Sequence, residues 1–142
     1  MFDTMEVLAS GLSAARLRVN VLASNVANAE TTRTPEGGPY KRKDVVQVAQ
    51  PVPGSFGAAL DGMSLSRPQV QAVIEDQSDP RRVFQPGHPD ADENGYVGYP
   101  NISVVTTMTD LMSATRLYQA NVNALDSAKQ MMAAANQISL RG

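Results

Sequence analysis

The stretch TMEVLASGLSAARLRVNVLASNVANA, residues 4–29, decides the fold, because its apolar residues recur at helical spacing while its charges are few. Its charged residues are Glu6, Arg16 and Arg18. A surface helix of a soluble monomer usually has one apolar stripe and one charged face. The stretch therefore predicts a long helix that is buried on more than one side, and other chains must supply part of the cover.

Two apolar stripes follow this predicted helix. The first steps by three and four residues, as an a/d heptad seam does. The second lies on roughly the opposite face. The seam contains Met5, Leu8, Leu12, Ala15, Val19, Leu22, Val26 and Ala29, and the second stripe contains Val7, Ala14, Leu17 and Val21.

The last part of the chain, residues 108–140, repeats this pattern with the charges Asp110, Arg116, Asp126 and Lys129. One stripe from each terminus can pair the two helices, which leaves the other stripes for further partners. The C-terminal seam contains Met108, Leu111, Tyr118, Val122, Leu125 and Met132, and its second stripe contains Leu117, Ala120, Ala124, Met131, Ala134 and Ile138.

The fold class predicted from these patterns is α+β, with the two terminal helices packed as a coiled-coil stalk and a small β-rich, loop-rich middle region. The predicted parts are residues 1–30, 31–106 and 107–142. Capping boxes at Asp3–Glu6 and Thr107–Asp110 mark the two helix starts. The middle part holds all nine prolines, and it has predicted strands at 45–48 and 70–74 and a third within 101–106.

Composition excludes several classes of function. The net charge is −2 without a basic stripe, which argues against nucleic acid as a partner. The chain has no cysteine and one histidine, His88, so the sequence predicts no thiolate metal site, no cofactor and no catalytic constellation. No apolar run reaches the ~20 residues that span a bilayer. The N-terminus lacks the pattern of a cleavable signal peptide.

The run DADENG, residues 90–95, matches the opening of an EF-hand calcium loop. The match fails at the twelfth position, where a bidentate glutamate is needed and Asn101 stands. Pro89 and Pro100 also stand where the flanking helices would end and begin. Turn formation by Asp, Asn and Gly is the preferred interpretation.

Three segments together resemble the flagellar rod, hook and hook-associated axial proteins. The first is LASNVANAETTRTPEGGPYKRKDVV, residues 22–46, in which Asn25, Ala27, Asn28 and Thr31 match the family's N-terminal signature. The second is PGHPDADENGYVGYPNI, residues 86–102, which is more specific and resembles rod members. The third is MTDLMSATRLYQANVNALDSAKQM, residues 108–131, which resembles the family's C-terminal helix.

The resemblance implies a structural subunit of the proximal rod in the bacterial flagellar basal body, not an enzyme. Such a subunit assembles through its terminal helices, transmits torque and lines the export conduit. Its partners would be other copies of itself, other rod proteins, the membrane-ring and export-gate base, and the flagellar export apparatus. The resemblance also implies a periplasmic rod location, reached by export without signal cleavage, and terminal segments that are disordered before assembly.

Roles for individual residues follow from the stripes and the resemblance together. The predicted seam within one subunit joins Leu8, Leu12, Val19, Leu22 and Val26 to Leu111, Tyr118, Val122 and Leu125. The predicted contacts between subunits are Leu17, Val21, Asn25, Asn28, Arg116, Leu117, Gln119, Asn121 and Met131. The two asparagines at 25 and 28 would fix register through hydrogen bonds, and Arg116 would form an ion pair.

Two other functions are compatible with the same residues. A soluble coiled-coil adaptor or chaperone would bind partner helices and would be folded and helical on its own. A calcium-binding module would depend on Asp90 and Asp92.

Overall fold

The computed structural model describes residues 2–51 and 66–139. Along the chain, two long helices flank four strands. The order is α1 (Phe2–Ala27), β1 (Lys43–Pro51), β2 (Ser66–Glu75), β3 (Arg81–Phe84), β4 (Tyr96–Tyr99) and α2 (Val104–Ser139). The predicted α+β class is confirmed. The side chains of Asp3 and Ile138 and the whole of Leu140 lie outside the described residues, so the capping role of Asp3 stays a prediction.

Strands β1 and β2 form a long antiparallel hairpin, in which Lys43 lies opposite Glu75 and Pro51 opposite Ser66. A β-bulge between Val46 and Gln47 leaves one extra residue, Gln71, on β2. The hairpin packs against α1 along its length. Both strands predicted for this region are therefore confirmed.

Strands β3 and β4 form a second, separate antiparallel sheet. Its inner face carries Val97, which is fully buried, and its outer face carries Phe84 and Tyr96 in an edge-to-face contact at 5.3 Å. The connecting loop closes with Gly95 at a φ of 80°, a conformation that favours glycine.

The third predicted strand, within residues 101–106, is wrong, because α2 already begins at Val104. Ser103 is the N-cap: its Oγ accepts the N–H of Thr106 at 3.4 Å and contacts the Thr106 hydroxyl at 2.9 Å. Thr107 lies inside the helix and donates its hydroxyl to the Ser103 carbonyl, so the predicted cap at Thr107 is also wrong.

The two helices run antiparallel. The start of α2 lies near the end of α1, because Pro100 and Asn101 share a cleft with residues 37–42, which follow α1. Farther along, Gly11 of α1 faces Asn121 of α2. Gly11 is nine residues from the start of α1, whereas α2 continues for eighteen residues beyond Asn121. The last nine residues of α2 therefore extend past the described start of α1.

Small side chains form the centre of the molecule. Ala14 and Ala15 of α1 and Ala114 of α2 are each only 4% exposed, and Leu22 is the large apolar residue buried among them. Alanines let helices approach closely but bury little apolar area, which limits how much the core stabilises the fold. Several large apolar side chains consequently stay on the surface.

Candidate assembly interface

Helix α1 contacts both α2 and the β1–β2 hairpin. Leu17, from its predicted second stripe, is half-buried and lines a groove with Ala14, Pro68 and Val70. At the far end of the hairpin, Arg67 forms an ion pair with Glu6. The hairpin thus supplies, within one chain, part of the cover that the sequence assigned to neighbouring subunits.

The predicted seam residues lie on the covered sides of their helices, with one exception. Leu22 is buried and eight further members are half-buried. Met108, which the spacing placed at the start of the α2 seam, is instead 50% exposed, because it shares an outward face of the helix with Met112. The half-buried members are Leu8, Leu12, Val19, Val26, Leu111, Tyr118, Val122 and Leu125. Buried Ala114 and Thr107 lie on the same face of α2.

Within residues 2–51 and 66–139, helix α2 has no comparable cover on its second face. Leu117 is 52% exposed and Met131 is 67% exposed. Arg116 and Gln119 are exposed as well, and Gln119 donates to Asn123 at 3.3 Å on the helix surface. The two second stripes therefore differ: the stripe on α1 is partly covered, and the stripe on α2 is open.

Asn25, predicted to contact a neighbouring subunit, is instead buried within its own chain. Its side chain is 1% exposed and holds the first residue of β1. The Asn25 Nδ2 donates to the Lys43 carbonyl at 2.7 Å, and its Oδ1 accepts the Lys43 N–H at 2.9 Å. The Tyr40 hydroxyl donates to the same oxygen at 3.1 Å and contacts Ser24. The register that Asn25 sets is thus between α1 and β1 of one chain.

Asn28, Asn121 and Val21 are also engaged within the chain. Asn28 donates to the Ser24 carbonyl at 2.9 Å and accepts from Thr31 at 3.2 Å, which closes the end of α1. Asn121 lies where α1, α2 and β2 meet, with its Nδ2 3.6 Å from the position a Cβ on Gly11 would take. Val21 is half-buried.

A hydrogen bond and an ion pair that the sequence did not predict connect the loop after α1 to the β3–β4 loop. Asp90 accepts a hydrogen bond from Thr32 at 2.7 Å and forms an ion pair with Arg33. The Thr32 hydrogen bond is the main cause that lowers the pKa of the Asp90 carboxyl; burial opposes it, and Arg33 and His88 add to it. No periodic pattern links residues 58 positions apart, so the sequence carried no signal of these contacts.

The DADENG run forms a turn, as predicted. Asp92 Oδ1 accepts the N–H groups of Asn94 and Tyr96, both at 2.9 Å, as an Asx-turn does. Asp90 is engaged by Thr32 and Arg33 instead of facing Asp92. Within residues 2–51 and 66–139, no cluster of His, Cys, Asp and Glu is arranged to hold a metal ion.

The first turns of α2 carry an apolar patch that the sequence analysis also missed. Val105 is 77% exposed, Met108 is 50% exposed and Met112 is 58% exposed. These residues share one helical face, because they are spaced by three and four positions. The sequence did not predict this patch, because the run from Val104 to Thr107 favours a strand and the seam spacing placed Met108 between the two helices. Neither described helix has the length and apolar character needed to cross a membrane.

Two family models match the ends of the chain. The model described as "Flagella basal body rod protein" matches residues 5–33, which include α1 from its fourth residue onward. The model described as "Flagellar basal body rod FlgEFG protein C-terminal" matches residues 93–138, which include β4 and α2. The two matches therefore cover the helix pair described above.

Similar curated proteins extend over almost the whole chain. The flagellar basal-body rod protein FlgC of Salmonella typhimurium is 42% identical over 132 residues, covering 93% of this chain and 92% of that protein. FlgC of Bacillus subtilis is 39% identical, with 96% and 97% covered. FlgC of Borreliella burgdorferi is 37% identical, with 95% of each chain covered.

Proposed function

Since the chain belongs to the FlgC family of flagellar basal-body rod proteins and is thus a structural rod subunit of the basal body, we propose that it joins the proximal rod through the open face of α2. In the rod this face packs against helices of neighbouring copies and of other rod proteins. The single observation that carries the proposal is the exposure of large apolar residues along α2.

Exposed apolar area supports an interface because a soluble chain rarely leaves a contiguous apolar patch in water. The patch at the start of α2 comprises Val105, Met108 and Met112, and Leu117 and Met131 lie farther along the same helix. The alanines at 120, 124 and 134 of the same helix are exposed too, which permits close helix approach. Arg116 is available for an ion pair at the edge of this face.

The assembly geometry follows from the order of copies along a rod. In a rod each copy presents one surface to the copy before it and a different surface to the copy after it, so the contact between copies is heterologous. A heterologous contact that does not close generates a helical assembly. Such a rod transmits torque along its length and surrounds the export conduit.

The proposed setting of the subunit is the periplasmic part of the basal body. The chain reaches it through the flagellar export apparatus without cleavage of a signal peptide, and the base of the rod contacts the membrane ring and export gate. Membership of the family of basal-body rod proteins supports this part of the proposal.

The test is Leu117→Asp in a strain that lacks the native gene, compared with Leu117→Met. A buried, unpaired carboxylate at an interface is costly, whereas methionine keeps the apolar character and the approximate volume. We expect Leu117→Asp to abolish rod assembly and swimming, and Leu117→Met to retain both. Secretion of each variant into the medium is measured in parallel.

The proposal fails if Leu117→Asp swims like the native strain while the protein is made at equal level. Circular dichroism of the purified variants separates loss of assembly from loss of folding. Because Leu117 is half-exposed, both variants should keep the helical signal of the native chain.

A further inference from the structure

Both edges of the β1–β2 hairpin are free in the described part of the chain. Each strand pairs with the other, and residues 2–51 and 66–139 place no third strand beside them. An isolated two-stranded hairpin is marginally stable in water, and a long open edge is a template for pairing with another chain. The hairpin thus has unused backbone donors and acceptors on two sides.

The hydrogen bonds of Asn25 show which backbone groups of β1 point outward. Lys43 gives its N–H to Asn25 and accepts from it, so these groups face away from β2. Its neighbour Arg42 instead accepts the Asp76 N–H at 2.7 Å, toward the β2 side. Because the direction alternates along an antiparallel strand, Val45, Gln47 and Ala49 also present their backbone groups outward.

Asn25 therefore already occupies the first position of this edge in the manner of a neighbouring strand, by accepting one hydrogen bond and donating another. Beyond it the edge is open as far as Pro51, which has no N–H to donate. On β2 the corresponding proline is Pro68, opposite Ala49. A proline thus stands near the same end of both open edges, with Pro51 two residues beyond the position opposite Pro68.

The open stretches of the two edges lack charged side chains, which are one of the usual protections against strand pairing. Residues 45–50 read VVQVAQ and residues 69–74 read QVQAVI, both without a charged residue. Protected edges usually carry lysines or inward-pointing charges. Val48, Val73 and Ile74 are 40%, 43% and 51% exposed, so apolar side chains also remain uncovered along the hairpin.

A cleft lies beside β1 and would be covered by an added strand. Gln47 lines it together with Leu8 and Gly11 of α1 and Leu117 of α2. Half of the Leu117 side chain is exposed there.

We propose that β1 of one copy pairs edge to edge with β2 of the next copy, in antiparallel orientation. This inference rests on the proposed rod function. In a helical assembly every copy points the same way along the axis, so side-by-side hairpins place β1 next to a β2 that runs in the opposite direction. The contact is heterologous and does not close, and each copy uses both of its edges.

The first test is Gln47→Pro, compared with Gln47→Ala. Proline removes an N–H that points outward and is not part of the β1–β2 ladder, whereas alanine keeps it. We expect Gln47→Pro to lose rod assembly and swimming and Gln47→Ala to retain both. Equal swimming of the two variants would overturn the pairing.

The second test does not depend on the folding of the proline variant. The native sequence has no cysteine, so single cysteines can be placed without background. A tagged chain with Val48→Cys is produced together with an untagged chain that carries Ala72→Cys or Ile74→Cys. Assembled rods should contain disulfide-linked tagged–untagged dimers, and either cysteine chain alone should give none.

If rods assemble but contain no disulfide-linked tagged–untagged dimers, the proposed pairing of β1 with β2 is wrong. This holds whether or not the Gln47→Pro variant assembles. Mixed disulfides between Val48→Cys and a different rod protein overturn the pairing too, because the occupant is then not a second copy. Native chain that fails to enter rods overturns the proposed function and the pairing together. Native chain in rods without cross-links rejects the pairing alone.

Discussion

A single asparagine shows what a periodic pattern can and cannot predict. The seam spacing correctly marked the neighbourhood of Asn25 as covered, because periodicity reports which face of a helix is buried. Periodicity does not report which element provides the cover. The structure places Lys43, 18 residues along the chain, against Asn25, and the cover is the start of β1.

Asn25→Ala should destabilise the chain by about 1–3 kcal/mol, because it leaves the Lys43 N–H and C=O groups, which face α1, without their hydrogen-bond partner. Tyr40→Phe removes one hydroxyl from the same cluster and should cost less, about 0.5–1.5 kcal/mol. Urea unfolding of the purified chains measures both. Equal stabilities of Asn25→Ala and the native chain would mean that water replaces the asparagine without cost.

Asp90 predicts a dependence of stability on pH. Its pKa is lowered from 3.8 in the folded chain, chiefly by Thr32, so the folded state favours the carboxylate. The stabilisation is therefore fully present above the unfolded value and is lost as pH falls through the lowered folded value. The stability difference between the native chain and Asp90→Asn should be constant near neutral pH and should shrink below pH 3.8.

Thr32→Val is the control for this titration, because it removes the hydroxyl that contributes most to the lowered pKa and keeps the shape of the side chain. In the Thr32→Val chain, the contribution of Asp90 to the free energy of unfolding should be smaller. It should also be lost at a higher pH than in the native chain. A pH profile that is identical in the native chain and Asp90→Asn would contradict the role given to the carboxylate.

At the scale of elements, the long helices and the β1–β2 hairpin were predictable, and the short sheet was not. Strand β3 contains two adjacent arginines and β4 contains a glycine, so neither four-residue strand shows a clear alternation. The β-branched run from Val104 to Thr107 favoured a strand by local propensity. The Ser103 cap and the burial of Thr107 favour the helix instead.

Gly11 marks the point where three elements meet, and two substitutions there have opposite expected effects. An added Cβ would lie 3.6 Å from Asn121 Nδ2 and 3.8 Å from Pro68 Cγ, which is ordinary contact. Gly11→Ala should therefore stabilise by about 0.5–1 kcal/mol through helix propensity. Gly11→Leu should destabilise by about 1–3 kcal/mol, because the larger side chain must separate α2 and β2 from α1.

Thermal unfolding followed by circular dichroism measures both Gly11 variants. If Gly11→Leu is as stable as Gly11→Ala, the space between α1, α2 and β2 is larger than the structure shows. That result would also weaken the assignment of Asn121 to a contact within the chain.

At the scale of the whole molecule, the two terminal helices differ in how much of their cover one chain provides. Helix α1 contacts both α2 and the hairpin, whereas the described part of the chain leaves α2 open along its second face. The sequence predicted that both ends need partners. It could not predict the difference, because the position of the hairpin depends on Asn25 and on the Arg67–Glu6 pair.

Hydrogen exchange of the unassembled chain should show this difference. Amides near Ala15 to Leu22 should be the most protected, and those after Gln130 the least, because the end of α2 extends past α1. Strong and equal protection of both helices up to Ser139 would instead indicate a chain that needs no partner. Rapid exchange throughout α1 would show that the hairpin does not stabilise it without assembly.

The separation in sequence between contacting residues has a consequence for the order of folding. Asn25 and Lys43 are 18 residues apart and Glu6 and Arg67 are 61 apart, whereas Gly11 and Asn121 are 110 apart. Closing a shorter loop costs less conformational entropy, so the N-terminal half can organise first around α1 and the hairpin. Helix α2 then joins last, and it is also the helix with an open face when the chain meets its neighbours. The step that completes the monomer and the step that recruits the next subunit therefore use two different faces of the same segment.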